Sequence, residues 1–475
     1  MDTTSTTPFT PCPKCAPLFN QLLARIHQLE ERIAELEGRL KQNSSNSSRP
    51  PSSDGYNKPS PQSSRTPTSR RSGGQNGHPG NTLKAVAKPD QVMVHPLQLC
   101  LGCDHSLGRQ PILGHEKRQV FDLPDLQLIV TEHQAEIRLC PYCGRRMTAH
   151  FPSEVQAPTQ YGPRLMAWWA YLRVQQLLPL ERIAQMTFDL FKIQVSEATL
   201  QSAIQTASLK LDGFEAKTKD LLQKAKLAHA DETGLRVAGQ PHWLHNLSTR
   251  LLTWYGVHRK RGFVAINAFG ILTRFRGRLI HDCWSPYFVL KHCLHGLCNA
   301  HLLRELTFLH EVQNQIWAGK MHALLLEMYQ FVAQRREIAS KITPPQKYLW
   351  RKRYRRLLRE GWAANPSRLP AHRKRGRPKR TKAQNLLDRL QRHQNFVLAF
   401  LYDFRVPFTN NQAEQDIRMV KVQQKISGAF RTPEGARIFA RIRSYVSTVR
   451  KHRRDVFRDM VRLFQNRPFI PRMAS

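Results

Sequence analysis

The sequence predicts a multi-domain chain: an α/β core interrupted by a helical insertion, preceded by an N-terminal coiled coil and a zinc-ribbon-like segment. Three observations predict it. Between Lys226 and Leu309 strand-like runs alternate with helical ones and end on acids, the signature of an α/β layer arrangement. Near the N-terminus, apolar residues recur at intervals of three and four. Between these regions stand two Cys-x-x-Cys pairs.

Charge narrows the function classes first. The chain of 475 residues carries 74 Lys and Arg against 35 Asp and Glu, a net charge of +39. Solubility does not require so large an excess, which is the footprint of a polyanion binder, with nucleic acid as the obvious partner. A ribosome-associated or membrane-surface protein is the alternative, and neither needs so long and so varied a chain. No apolar run approaches the ~18 residues of a membrane span. Residues Met1 to Pro11 lack the apolar core of a signal peptide. A cytoplasmic protein with reduced thiols is therefore expected.

Taken in order, Phe19, Leu22, Ile26, Leu29, Ile33, Leu36 and Leu40 form a heptad seam. Ile at a and Leu at d favour a parallel dimer, and a helix packed on its own chain is the other reading. From Asn43 to Asn81 Ser, Pro, Gly and Arg dominate and periodicity vanishes, as in a flexible cationic tether. Cys100, Cys103, Cys140 and Cys143 then suit a closed, structural, four-thiolate zinc site. The apolar alternation from Val120 to Arg138 reads as a hairpin filling the gap between the pairs. Redox dithiols are the alternative use of the same cysteines.

Residues Tyr161 to Gln205 read as helical. Leu180 to Met186, a break near Lys192 and a second helix capped by Ser196 resemble a helix-turn-helix. Strands are expected at Lys226–Ala230, ending at Asp231, at His242–Ser248, at Leu251–His258 and at Arg278–His281, ending at Asp282. A helix is expected over Phe263–Phe275 and another from Cys298 and His301 through Leu309. The stretch from Gln313 to Phe400 is helical and very basic. Its Gly376-Arg377-Pro378 core, with Arg375 beside it, resembles an AT-hook that would enter a narrow minor groove. A solvated basic linker explains the same residues.

The chain is organised around Pro407 to Arg431. Thr409-Asn410-Asn411 reads as the cap of a helix running to about Lys425, with Ala413, Ile417 and Val420 as its core stripe. Glu414, Arg418, Lys421 and Lys425 share a neighbouring face, one carboxylate heading a ladder of cations. Asp231, Asp282 and Glu414 are the candidate catalytic acids. Each alone could cap a turn or support a helix, but three carboxylates brought together repel unless hard divalent ions neutralise them. Two Mg²⁺ or Mn²⁺ ions held this way suit an in-line phosphodiester displacement.

The order of zipper, NSSNSSRPPSSDG, GGQNGHPGNT, paired zinc knuckles, HADET, CNAHLLREL and NNQAEQDIRMVKVQQKISGAFRT resembles the DDE transposases of the insertion-sequence-66 family. The resemblance implies an RNase H-like catalytic core and a metal-binding triad of Asp231, Asp282 and Glu414. It implies a site-shaping role for Cys298 and His301. Arg418, Lys421 and Lys425, on the helix face beside Glu414, are expected to hold phosphates near the metals, and Arg375 and Arg377 are the DNA-binding candidates of the AT-hook-like stretch. Where relatives carry Asp-Gly-Tyr or another small residue after the second acid, here Asp282 precedes Cys283-Trp284-Ser285. The expected divisions are a leucine-zipper coiled coil (1–42), a disordered linker (43–85), a zinc-binding domain (86–155), a helix-turn-helix-like region (156–220), the first part of the core (221–312), the basic insertion (313–400) and the second part of the core (401–475). Expected partners are element ends and target DNA, a second copy of the chain, and small accessory proteins of the same element, at the bacterial nucleoid. A nuclease or resolvase that cuts without joining, or a non-catalytic DNA-binding regulator, would use overlapping features.

Overall fold

The computed structural model describes residues 15–47, 54, 83–366 and 380–472. The first element is α1, Ala16–Leu40. Its period brings Leu22, Ile26, Leu29 and Ile33 onto one stripe, and all four are 49–56 % exposed, so the heptad seam is uncovered in the single chain. The expected tether opens with an ordered turn, in which Asn43 Oδ1 accepts the amides of Ser45 and Asn46. Most of the rest of that linker lies outside the described residues.

In the cysteine segment two turns repeat one hydrogen-bond pattern. The amide of Asp104 donates to the Cys100 carbonyl and the amide of Cys100 to that of His105; Gly144, Cys140 and Arg145 do the same. Strands β1 (Ile137–Leu139) and β2 (Arg146–Thr148) pair antiparallel across the second turn. The hairpin expected from Val120 to Arg138 does not form: only its last residues pair, and they pair forward across the knuckle. Alternation defines a strand only where a core covers one face, and here Val120, Leu123, Ile129 and Val130 are 80–93 % exposed.

Helices α2 (Pro163–Val174), α3 (Leu180–Phe191), α4 (Glu197–Leu209) and α5 (Asp212–Gln223) follow. The expected break falls at Lys192, left-handed at φ 58°, and Ser196 Oγ caps α4 by accepting the Thr199 amide. Leu200, Ala203, Ile204 and Ala207 of α4 are buried. Its exposed positions, including Glu197, Ser202 and Gln205, carry no cation.

The main sheet has strands β3 (Leu227–Val237), β4 (Gln240–Ser248), β5 (Thr253–His258), β6 (Arg278–His281) and β7 (Leu294–Leu297), in the order β5-β4-β3-β6-β7. β3, β4 and β5 are antiparallel neighbours, while β6 and β7 run parallel to β3. β3 does not stop at Asp231 as expected. It continues to Val237 because β4 offers a partner for every residue from His229 onward. Helix α6 is also shorter than its apolar pattern suggests, Phe263–Phe269, ended by Gly270 at φ +69°, a conformation that glycine adopts without a Cβ clash. A short 3₁₀ turn, Ser285–Val289, follows β6.

After β7 come α7 (Asn299–Glu311), α8 (Ile316–Arg335), α9 (Pro344–Ala364), α10 (Lys382–Arg392) and two single-turn pieces, α11 (Gln394–Val397) and α12 (Ala399–Tyr402). They share one core around Leu306, Met321, Leu325, Tyr354, Leu386 and Phe400. Capping boxes at Thr343/Gln346 and Thr381/Gln384 begin α9 and α10. The AT-hook-like stretch, with Arg375 and Arg377, lies outside the described residues. The chain then returns to the sheet with α13 (Asn411–Ser427), α14 (Pro433–Lys451) and α15 (Val456–Phe464). One sheet face, with Leu235, Val237, Leu244 and Tyr255, packs on α13 and α14; the other, with Ala228, Ala230, Leu247 and Trp254, packs on α5 and α6.

Candidate active site

The sheet register brings the site together. β3 and β6 are parallel with His229 opposite Ile280, which sets Asp231 level with Asp282, two residues further along each strand. β6 and β7 are parallel with His281 opposite Leu297, which sets Asp282 level with Cys298. Asp231, Asp282 and Cys298 thus stand in a row across three neighbouring parallel strands, whose spacing is ~4.8 Å. Open α/β sheets bind their ligands at this carboxyl end.

Glu414 reaches the same row from above. It lies in the first turn of α13, and two asparagines fix where that turn sits. Asn410, expected as the helix cap, makes no side-chain capping bond. Its Nδ2 donates instead to the Ala230 carbonyl at 2.8 Å, its Oδ1 faces His229 Nδ1 at 2.9 Å, and its amide donates to Cys298 Sγ at 3.1 Å. Asn246, which pairs with Asp231 across β3 and β4, donates from Nδ2 to the Ala413 carbonyl at 3.3 Å. The buried stripe of Ala413, Ile417 and Val420 seats the helix on the sheet. One charged pair holds its far side: Lys451 of α14 lies 2.8 Å from Asp416, both nearly buried.

The carboxylates repel one another. Asp231 is held well above the usual carboxylate range, first by burial, then by the charges of Glu232, Asp282 and Glu414. Its Oδ1 accepts the Glu232 amide at 2.9 Å, which partly offsets the shift. Asp282 Oδ1 accepts the Trp284 amide at 3.0 Å, fixing the turn after β6.

Glu232 is the buried acid beside the site that the sequence reading passed over. Strand alternation sends it to the face opposite Asp231, towards α6 and the 3₁₀ turn. There its carboxylate is 1 % exposed, accepts the Tyr287 hydroxyl at 2.6 Å and pairs with Arg261 at 2.6 Å. Burial still raises it above its ordinary value, with Tyr287 and Arg261 opposing. The Arg261 guanidinium is in turn sandwiched between the rings of Trp243, at 4.6 Å, and Trp284, at 4.0 Å. Trp284, the bulky departure after Asp282, therefore has a task. The signal available in the sequence was the second acid of HADET together with the Arg261 and Trp284 that flank the core strands.

Cys298 Sγ lies 3.7 Å from Glu414 Oε1, and His301 Nδ1 lies 3.9 Å from the same oxygen. Burial, then the Glu414 charge, pushes the Cys298 thiol up to about 12. Of the expected phosphate contacts, Arg418, Lys421 and Lys425 are all on the exposed side of α13. Lys421 also donates to the Gly234 carbonyl at 2.8 Å. A second row of cations, Lys352, Arg355, Arg356 and Arg359, is exposed along α9.

The cysteines expected to hold zinc, Cys100, Cys103, Cys140 and Cys143, are not part of the row of Asp231, Asp282 and Cys298. Cys100 and Cys140 are each lowered from the ordinary thiol value, chiefly by backbone amides of Gly102 and Cys143 respectively. Each pair is closely knit, but the four sulfurs do not gather into one cluster.

No helix among the described residues is long and apolar enough to cross a membrane. No curated protein matches the chain. Residues 14–84 match a family of unknown function. The family described as the Transposase IS66 family matches residues 158–438, which holds the whole sheet, the acids and α13, and the protein belongs to that family.

Proposed function

We propose that this transposase is of the DDE type, cutting the ends of its own element and joining them to target DNA with Asp231, Asp282 and Glu414 as its catalytic acids. The observation that carries the reading is the alignment of Asp231 and Asp282 on adjacent parallel strands beneath the first turn of α13. The mixed five-stranded sheet, three antiparallel strands followed by two parallel ones, supports an RNase H-like core.

The donors fit hard divalent cations. They are carboxylate oxygens, and Asp231, raised first by burial and then by the neighbouring acids, is a group whose charged form a cation would stabilise. Two Mg²⁺ or Mn²⁺ ions, when bound, would activate the attacking oxygen and stabilise the leaving one. The chain itself holds the geometry. Asn410 and Asn246 set the height of Glu414 over the strands, and Arg261 and Tyr287 hold Glu232 away on the opposite face. Arg418 and Lys425, exposed beyond Glu414 on α13, contact phosphates beside the acids.

Supporting parts act through the whole chain. α1 pairs with α1 of a second copy, and deleting residues 15–47 should lower the sedimenting mass. Cys100, Cys103, Cys140 and Cys143 hold one structural zinc once their two turns close on each other. The test of the catalytic reading is end cleavage and strand joining with Mg²⁺ on DNA carrying the element's termini. Glu414→Gln should lose both steps, by at least the ~10²–10³-fold typical of removing one preorganised group, and still bind DNA. Joining near the parent's rate would sink the triad, and cutting without joining in the parent would favour a nuclease.

A further inference from the structure

Cys298, His301 and Glu414 are, among the described residues, the one group of three whose ligand atoms all lie within 4.8 Å of one another. The sequence explains the meeting. Cys298 is the cap residue of α7 and His301 sits in its first turn, so the two project from one helix end toward the first turn of α13.

The distances suit a metal of a different kind from Mg²⁺. Zinc bonds of ~2.3 Å to sulfur and ~2.1 Å to nitrogen and oxygen, at a tetrahedral angle, set sulfur and oxygen about 3.6 Å apart and nitrogen and oxygen about 3.4 Å apart. Here the sulfur–oxygen distance is 3.7 Å and the nitrogen–oxygen distance 3.9 Å. The sulfur and the nitrogen also lie within 4.8 Å of each other, so side-chain adjustments of at most about 1.2 Å bring all three atoms to zinc distances. Two further details point to a ligand. His301 Nδ1 is buried without a hydrogen-bond partner, a polar atom that a bound cation would satisfy. Cys298 Sγ already accepts the Asn410 amide, the kind of outer contact that orients a sulfur ligand. Thiol and imidazole donors select zinc-like ions, while the carboxylates of Asp231 and Asp282 select hard ones. Glu414 belongs to both sets.

We propose that Cys298, His301 and Glu414 form a site for a thiophilic divalent cation such as Zn²⁺, and that filling it withdraws the Glu414 carboxylate from the catalytic acids and arrests the reaction. The Cys298 thiol releases its proton to solvent as the metal–sulfur bond forms, and water takes the fourth position. The inhibitory half rests on the catalytic role given above to Glu414; the binding half does not.

The test uses the full-length protein and Co²⁺ in place of zinc, read by thiolate charge-transfer absorption and by bound equivalents. Cys298→Ser and His301→Ala should each bind one equivalent fewer than the parent. His301 has a side chain 26 % exposed, so its replacement keeps the test decisive if Cys298→Ser misfolds. In Mg²⁺-supported end cleavage, the half-inhibiting zinc concentration should rise at least about tenfold in His301→Ala, relative to that variant's own zinc-free rate. Equal stoichiometry in the parent and His301→Ala would overturn the site and leave the catalytic reading standing. A lost equivalent with unchanged zinc inhibition would overturn the inhibitory half and count against Glu414 as a catalytic ligand.

Discussion

Residues 227–258 and residues 120–139 carry comparable alternating apolar sequence, yet one stretch is the centre of the sheet and the other is almost strandless. In the first, Leu235, Val237, Leu244 and Leu247 are at most 3 % exposed, because α13 and α14 close one sheet face and α5 and α6 the other. In the second, Val120 and Ile129 stand at 90 % exposure or more, with no helix over them. Alternation is thus a request for a partner. Burying an aliphatic side chain is worth roughly 1.5–3 kcal/mol, and only the first region has the surfaces to collect it. The core therefore fixes acids in one geometry, while the cysteine segment holds two well-formed turns without a common core.

The largest effect that sharpens this contrast is at Asp231. Asp231→Asn should lower end cleavage by at least about 10²–10³-fold and yet raise the thermal stability of the metal-free protein. The sign follows from the raised carboxyl. A group whose folded value lies above its unfolded one binds more protons in the folded state, so its ionisation destabilises the fold as pH rises from the ordinary carboxylate range through the raised value. The stability gap between variant and parent should therefore widen with increasing pH above about 4. Added Mg²⁺ should narrow it by stabilising the parent alone. A gap that is flat with pH would show that Asp231 does not ionise against its neighbours.

Next is the pair beneath α13. Asp416→Ala leaves Lys451 buried without its carboxylate and should cost about 3 kcal/mol, the lower end for breaking a buried pair, since Lys451 keeps its bonds to the Thr249 and Leu252 carbonyls. Glu434→Ala removes the exposed partner of Arg437 on α14 and should cost under about 1 kcal/mol. Denaturant midpoints of the two variants decide it. Equal losses would mean that α13 is held by its apolar stripe alone.

The parts of the fold set by local chemistry were legible in the sequence. The strand Arg278–His281, the break at Lys192, the Ser196 cap and the buried stripe of Ala413, Ile417 and Val420 each follow from a few neighbouring residues. What was not legible depends on distant partners. Asn410 has the composition of a cap, but Ala230 and Cys298, far away in the chain, claim its side chain and amide. Glu232 looks redundant beside Asp231 until alternation turns it toward Arg261 and Tyr287. β7 is too short, at four residues, to announce itself, though it sets Cys298 level with Asp282. The row of acids is a consequence of register, and register is a pairing property.

The smallest effect on the core is expected from the cysteine turns, and it tests the comparison most directly. Cys140 sits in a turn held by its own backbone, with its carbonyl accepting the Gly144 amide and its amide donating to Arg145. The two turns share no buried cluster with the sheet, whose core residues all lie beyond residue 165. Cys140→Ser should therefore remove bound zinc, and with it the link between turns that only a metal would supply. Structural zinc contributes directly to the folding of the segment that holds it. Protease cleavage within residues 83–160 should accelerate severalfold, while the main melting transition shifts by less than the ~2–4 °C that 1 kcal/mol moves a domain of 150–250 residues. Limited proteolysis and calorimetry on the same preparation separate the outcomes. A melting shift as large as that of Asp416→Ala would mean that the cysteine segment is built into the core after all, and that its exposed apolar residues are covered in the working protein.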